Sequence, residues 1–338
     1  MNRRDAILVP LACSAAGLPH FAGAQAPKPG PVRRIGLLSP NSEPTIPLAQ
    51  RSLVVRLNKL GWVLGENLIL ERVYADNHAD RLPALAQELI RRKVELIMTP
   101  LAVAALAAGR ATQTIPIVFW DVNWPLEQGL IDSFARPGRN LTGVAYWPSV
   151  ETAFKQLEIL KEIVPAARRL SSLTDVDVDE TLSGGRLELE SVRQRVASHL
   201  GFEIRSHRLS GPQDIPKALS EIAAWPAQAL SVGGPTASAS GQSIADFTLR
   251  QRLPAAAAFR SIVDKGALLS YAPPNAEVSR LGMRSVGYVD RILRGEKPAD
   301  LPVEMPNRYE LVINMKTAKA LGLSIPQAVL LRADELIQ

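Results

Sequence analysis

From residue 34 the chain alternates short apolar runs with stretches of helical period, and it does so in two separate series. RIGLLS (34–39), NLILERVY (67–74), VELIMT (94–99), IPIVFW (115–120) and LTGVAY (141–146) read as strands. Between them, LAQRSLVVRLNKLG (48–61), RLPALAQELIRRK (81–93) and VAALAAGRAT (103–112) carry apolar residues at helical spacing. Gly61 closes the first of these helices, as a C-terminal glycine does. Apolar strands joined by helices of this length form parallel sheets covered on both faces.

The pattern restarts after Trp147-Pro148. The helices expected there are AFKQLEILKEIV (153–164), GRLELESVRQRVASHLG (185–201), DIPKALSEIAAW (214–225) and SASGQSIADFTLRQR (238–252). The strands are RLSSL (169–173), FEIRSHRL (202–209), QALSVGG (228–234) and PAAAAF (254–259). Two such series predict an α/β chain of two doubly wound lobes. A strand at 267–275, a helix at 277–295, a proline-rich passage at 296–306 and a strand and helix at 309–323 complete it. Proline-rich passages at 147–148, 273–274 and 298–306 are the expected crossings between lobes. This places 33–145 with 275–300 in one lobe and 146–274 with 301–338 in the other.

Residues 1–26 have the plan of an export signal: Arg3 and Arg4, a short apolar middle, then Ala24-Gln25-Ala26. The apolar run is too short and too interrupted by Pro10 and Pro19 to span a bilayer. A periplasmic protein beginning near Pro27 is therefore expected, exported by the general or the twin-arginine route. Cys13 is the single cysteine, and Pro10 stands where a lipidation site usually has leucine. Removal of the leader leaves 312 of the 338 residues and no thiol, which excludes disulfides and cysteine-ligated metals. It also lowers the formal charge from +6 to +5, and without a block of like charges the basic balance is no nucleic-acid footprint.

No catalytic signature occurs: there is no G-x-S-x-G, H-E-x-x-H, Walker A or G-x-G-x-x-G. His78, His199 and His207 are far apart, and His207, alternating with polar residues, reads as a solvated strand residue. DVDVDE (175–180) resembles a calcium loop but lacks its sixth-position glycine, so a solvated loop is expected. Asn140-Leu141-Thr142 fits a glycosylation acceptor, a frequent accident. No catalytic residue, metal or cofactor is nominated.

Several stretches resemble the periplasmic solute-binding proteins of ABC transporters. They are RIGLLSP, ADRLPALAQELIRRKVELIMT, AALAAGRATQTIPIVF, LIDSFARPGRNLTGV and LEILKEIVP. The C-terminal YELVINMKTAKALGLSIPQAVLLRADELI resembles that family's ending most closely. The resemblance implies the two-lobed fold of the leucine-binding and lac-repressor-type core (periplasmic-binding-protein type I), with three crossings and a ligand held in the central cleft. It implies binding and delivery without chemistry, a monomer, and a permease and an ATPase on separate chains that provide the membrane contact. Some relatives bind tryptophan or tyrosine. The alternatives are a ligand sensor feeding a membrane receptor and a transcription regulator, the latter opposed by the leader and the missing DNA-binding helices before Arg34.

In doubly wound sheets, ligands bind beyond the carboxyl ends of the strands. Candidates there are Ser39, Asn41, Ser42 and Thr99 in the first lobe, and Asp175, Gly233, Thr236 and Tyr271 in the second. FWDVNWPLEQGLI (119–131) adds Trp120, Asp121, Asn123 and Trp124. Asp121 is either the partner of a ligand ammonium or the cap of a helix starting near Leu126. Trp124 is an apolar wall or a core residue, and Trp120 leans to the core. Ser39, Asn41 and Thr99 are turn formers or anchors for a carboxylate. Relatives carry a small residue and Asp before the proline at 125, so the Asn123-Trp124 pair here keeps the ligand's identity from being carried over.

Overall fold

The strands sort into two sheets, and the computed structural model describes residues 31–45, 52–147, 149–175 and 189–338. The first sheet contains β1 (Arg33–Ser39), β2 (Leu68–Tyr74), β3 (Leu96–Pro100), β4 (Ile117–Val122) and β5 (Leu141–Ala145). Its order is β2-β1-β3-β4-β5, parallel throughout. The second contains β6 (Arg169–Asp175), β7 (Glu203–Leu209), β8 (Ala229–Val232), β9 (Ala255–Ala257), β10 (Leu269–Ala272), β11 (Glu310–Asn314) and β12 (Glu335–Ile337). Its order is β12-β11-β10-β9-β8-β6-β7, parallel except where β10 meets β11. The run β7-β6-β8-β9-β10 repeats the winding of the first sheet. Each sheet therefore switches direction beside its first strand, at β1 and at β6, where such folds open a crevice.

Both faces of both sheets are covered, which explains why the strands read as continuous apolar runs. In the first lobe Leu38, Leu89, Ile97 and Phe119 pack on one side, and Ile35, Leu57, Leu96 and Val118 on the other. The second lobe likewise has Leu157, Leu160, Leu170 and Ile313 opposite Leu173, Leu230, Ile244 and Ile262.

The chain crosses between the lobes three times: after β5, after β10 and before β11. Helix Asn275–Leu293 returns to the first sheet, packing Val286, Val289 and Ile292 against Ile35, Leu57 and Val118. The following segment stays there through Glu304, four residues beyond the expected boundary at 300. Val303 N–H donates to Phe134 O (2.7 Å), Glu304 N–H to Gly143 O (3.0 Å) and Ala145 N–H to Glu304 O (2.8 Å). The open edge of β5 captures this strand-like segment, because unpaired edge groups take any extended partner.

Several expectations are corrected by packing that sequence period does not report. His207 is buried at 5% exposure, because helix Ile215–Ala224 covers its face of β7. Its Nδ1 lies 3.2 Å from Glu221 Oε2 and its Nε2 3.4 Å from Ser171 Oγ. The helix expected at 238–252 breaks at Ser240 into Pro235–Ala239 and Gly241–Arg250. β12 is a three-residue edge strand that the sequence pattern did not reveal. Asn140 is buried and its Nδ2 donates to Thr112 O and Ile115 O, so this side chain braces a turn. The calcium-like run lies outside the described residues apart from Asp175, and so does the leader. Among the described residues no helix is long and apolar enough to cross a membrane.

Candidate functional site

Beyond the carboxyl ends of the central strands lies a cavity of about 1040 Å³, walled by both lobes. The first lobe contributes Asn41, Asn77, Leu101 to Val103, Asp121, Asn123 and Trp124. The second contributes Phe154, Gln156, Ser172 to Asp175, Arg193, Ser231, Gly233, Thr236 and Phe259. Tyr146 and Trp147, at the first crossing, close it between them.

The expected site residues divide by side-chain direction. Asn41, Asp121, Asn123, Trp124, Asp175, Gly233 and Thr236 line the cavity. Ser39, Ser42, Thr99, Trp120 and Tyr271 are not among its lining residues. Ser39 is buried and its Oγ accepts from Asn41 N–H at 3.2 Å, a local turn. Thr99 is fully buried, its Oγ1 3.3 Å from Pro100 O. Ser42 is exposed, and Trp120 packs with Leu37 and Leu70 against the core of the first lobe. Tyr271 stacks on Tyr309 (5.6 Å between centroids, 20° between planes), and Tyr309 stacks on Trp147 (5.3 Å, 22°). Tyr271 thus stands two rings behind the wall.

Asp121 is not a helix cap, because residues 125–129 form a turn and no helix starts near Leu126. It sits at the end of β4, where the pairing with β5 shifts register between Phe119 and Val122. Among the described residues no hydrogen bond or ion pair engages its carboxylate. Its surface is open to the solvent in the cavity, yet it lies deep between the walls. That depth pushes its pKa up, while the water at its surface limits the effect. The Asp121 charge in turn raises the pKa of the Tyr146 phenol, after burial, the larger cause.

Asp175, from the second lobe, accepts from Thr236 N–H at 3.2 Å through Oδ2, while Oδ1 is buried without a partner. Burial pushes its pKa up against the opposing hydrogen bonds from Thr236. Arg193 is committed to Glu190 at 2.6 Å. Lys265 also lies on the wall.

Backbone strain gathers here. Among the described residues seven non-glycine residues have positive φ, and four of them line the cavity: Asn77 (64°), Leu101 (60°), Asp121 (56°) and Trp124 (49°). Asn and Asp tolerate this region, whereas an aromatic residue there is a true outlier. Such strain, about 1–3 kcal/mol per residue, persists where the surroundings over-determine the backbone, as at functional sites.

Tyr146, Trp147, Phe154, Gln156 and Phe259 escaped the strand-end reading. Tyr146 packs edge-on to Trp147 (5.5 Å, 85°) and 6.1 Å from Phe259, so two segments remote in sequence build one aromatic wall. The Tyr-Trp-Pro sequence was the available signal, but it marks the crossing equally well. The Ser171–His207–Glu221 line has the order of a hydrolase triad. Ser171 is fully buried away from the cavity, so no substrate reaches its hydroxyl.

A family model described as ABC transporter substrate binding protein matches residues 35–337. The chain is 24% identical over 307 residues to a tyrosine-binding protein of Clostridioides difficile (strain R20291), covering 90% of this chain and 86% of that one. Among solved structures, a conserved domain protein from Vibrio cholerae superposes with a TM-score of 0.70 at 24% identity, over 90% of this chain and 99% of that chain. The ABC domain in complex with L-Trp from Streptococcus pneumonia gives 0.69 at 21% identity, over 90% and 100%. At these identities the solved structures establish a shared fold.

Proposed function

Because the chain belongs to the family of ABC transporter substrate-binding proteins, we propose that it is an exported receptor for a small aromatic amino acid. It closes two lobes around the ligand and presents it to a permease served by a separate ATPase. The observation that carries this reading is the aromatic wall of Trp124, Tyr146, Trp147, Phe154 and Phe259 facing the unpartnered carboxylate of Asp121. Apolar walls with a few placed polar groups are what small-molecule clefts use for affinity and orientation. The printed ligands of two relatives, tyrosine and L-Trp, agree with it.

Asp121 meets the ligand ammonium. For the carboxylate, the first turn of helix Leu101–Ala111 replaces Ser39 and Thr99. Leu101, Ala102 and Val103 line the cavity, and the helix has no side-chain cap, so its first N–H groups are free to take an anion. Pro100 pairs with Trp120 in the sheet, which puts Leu101 and Asp121 on adjacent strand ends. Adjacent strands lie about 4.8 Å apart, a gap that the two charged groups of one α-amino acid bridge.

Native mass spectrometry of protein purified from its own periplasm, followed by a thermal-shift screen of amino acids, tests the reading. A ligand at 100 times its dissociation constant adds about 2.7 kcal/mol of stability. Recovery of a bound sugar or metal complex, with no shift from any aromatic amino acid, defeats it. N-terminal sequencing of the same sample tests export, with Pro27 as the expected first residue.

A further inference from the structure

The cavity wall carries a cation without a counter-charge. Lys265 lines the cavity from the second lobe, half-buried, and among the described residues no hydrogen bond or ion pair engages its ammonium. Arg193, also basic and on the wall, is held by Glu190. Asp264, the acid next to Lys265 in sequence, lies 3.4 Å from the Arg260 guanidinium.

The lysine is built into the wall. A Cβ at Gly241 would come within 3.1 Å of Lys265 Cδ and 3.3 Å of its Nζ, so the glycine leaves the space that the stem and ammonium fill. Gly241 opens helix Gly241–Arg250, whose first turn holds no acidic residue, so the helix adds no counter-charge. Ser261, four residues before Lys265, has its hydroxyl 3.3 Å from that of Ser238, and both serines line the cavity. These two contacts lay segment 238–241 against segment 261–265 and bring an ammonium and two hydroxyls to one patch of wall. One serine donates to the other, which keeps its own O–H to give.

With the amino-acid head met wholly within the first lobe, at Asp121 and at the first turn of helix Leu101–Ala111, Lys265 stays unpaired. A charge shut away from water without a partner opposes closure of the lobes. A ligand that ends in a neutral ring leaves that penalty in place, and one with a second anion removes it. The patch adjoins the aromatic wall, since Phe259, 6.1 Å from Tyr146, stands two residues before Ser261. At about 1040 Å³ the cavity matches the upper range of clefts that hold drug-sized ligands, which leaves room for a group beyond the ring.

We propose that Lys265, Ser238 and Ser261 form an anion subsite in the second lobe, and that the preferred ligand is an aromatic amino acid carrying a further carboxylate on its ring side. This rests on the receptor role proposed above and adds a second acid to its ligand. Charge-assisted hydrogen bonds are the strong ones, so the subsite selects for the acid and against the bare ring.

The test is calorimetric titration of L-phenylalanine and 4-carboxy-L-phenylalanine into ligand-stripped wild type, Lys265→Met and Ser238→Ala. Methionine keeps an unbranched apolar stem over Gly241 and removes the charge. Comparing the two ligands within each protein cancels any general loss of folded material. Wild type is expected to bind the ring acid about tenfold or more tighter than phenylalanine. Lys265→Met is expected to abolish that preference, and Ser238→Ala to reduce it about threefold. Equal or weaker binding of the ring acid by wild type overturns the proposal, as does a preference unchanged in Lys265→Met. In either case phenylalanine binding leaves the receptor role standing. A third probe, 3-(4-carboxyphenyl)propanoate, is the same acid without its amino group. If it binds as tightly as the amino acid and still requires Lys265, the subsite stands and the ammonium contact of Asp121 falls. If none of the three binds wild type, the receptor role and the subsite fail together.

Discussion

The backbone N–H of Trp124 donates to the carbonyl of Trp147 at 2.8 Å. This bond pins the strand-end loop of the first lobe to the first crossing. The Trp147 ring then stacks on Tyr309, which follows the third crossing, and Tyr309 stacks on Tyr271, just before the second. The cavity wall and the inter-lobe crossings are thus continuous, so under the proposed reading a ligand pressing on Trp124 or Trp147 would also act on the crossing segments.

Tyr309→Ala removes the middle ring of that stack. Aromatic pairs contribute about 0.5–1.5 kcal/mol beyond the area they bury, and two pairs are lost here. The expected result is a lower melting midpoint and weaker ligand binding, with a wider range of lobe separations in small-angle scattering. Tyr309→Phe keeps both stacks, losing only a 3.4 Å contact to Tyr146 O, and is expected to behave as wild type.

Asp121→Asn tests the ammonium contact without disturbing the backbone, since Asn accepts the positive φ as readily as Asp. Charged hydrogen bonds contribute about 1.5–3 kcal/mol, so affinity is expected to drop about ten- to a hundredfold. The melting midpoint of the empty protein is expected to hold or rise, because no helix depends on this side chain as a cap and the desolvated charge is removed. A variant that binds as tightly as wild type contradicts the role given to Asp121.

Asp121, Trp124, Asp175 and Thr236, expected at strand ends, line the cavity, because strand ends fix where the backbone of a doubly wound sheet opens. Ser39 and Thr99 sit at equally good strand ends and do not line it. Which way a side chain turns there depends on pleat and local bonds: Ser39 Oγ folds onto Asn41 N–H, and Thr99 is fully buried with its Oγ1 3.3 Å from Pro100 O. Trp147 and Gln156 lie nine residues apart, but Phe259 is remote in sequence, and only packing within the fold brings all three to one wall. His207 was misread for the same reason, since the helix covering β7 leaves no trace in the strand's own alternation.

The two acids set a pH dependence whose sign is opposite to that of a salt-bridged carboxylate. Burial raises both Asp121 and Asp175 above the ordinary value of about 3.9. Within the window from that value up to their raised pKa, the folded protein binds more protons than the unfolded chain. Their contribution to the stability of the empty protein therefore falls as pH rises through the window and recovers on acidification. A ligand ammonium requires the ionised form, so affinity is expected to weaken as pH falls into the same window. Calorimetry across the acid range checks this, with Asp121→Asn expected to show a flatter profile. Affinity that strengthens in acid contradicts the assignment.

Gly143→Ala probes the sheet edge beneath the site. Gly143 has φ +154°, and an added Cβ would lie 2.0 Å from the carbonyl oxygen of Phe119. That contact forces β4 and β5 apart next to Asp121, an overpacking cost in the upper range of single substitutions, about 3 kcal/mol or more. The expected outcome is a marked fall in melting midpoint together with lost binding. By contrast, Gly282→Ala, which meets nothing within 4 Å, is expected to be neutral or slightly stabilising.

Titration calorimetry of the ligand-stripped wild-type protein against L-tyrosine, L-tryptophan and L-leucine tests the central claim most directly. The account predicts saturable one-site binding of an aromatic amino acid, tighter than leucine, and lost in large part in Asp121→Asn. Tighter binding of leucine than of either aromatic amino acid, or no heat from any of the three, contradicts it.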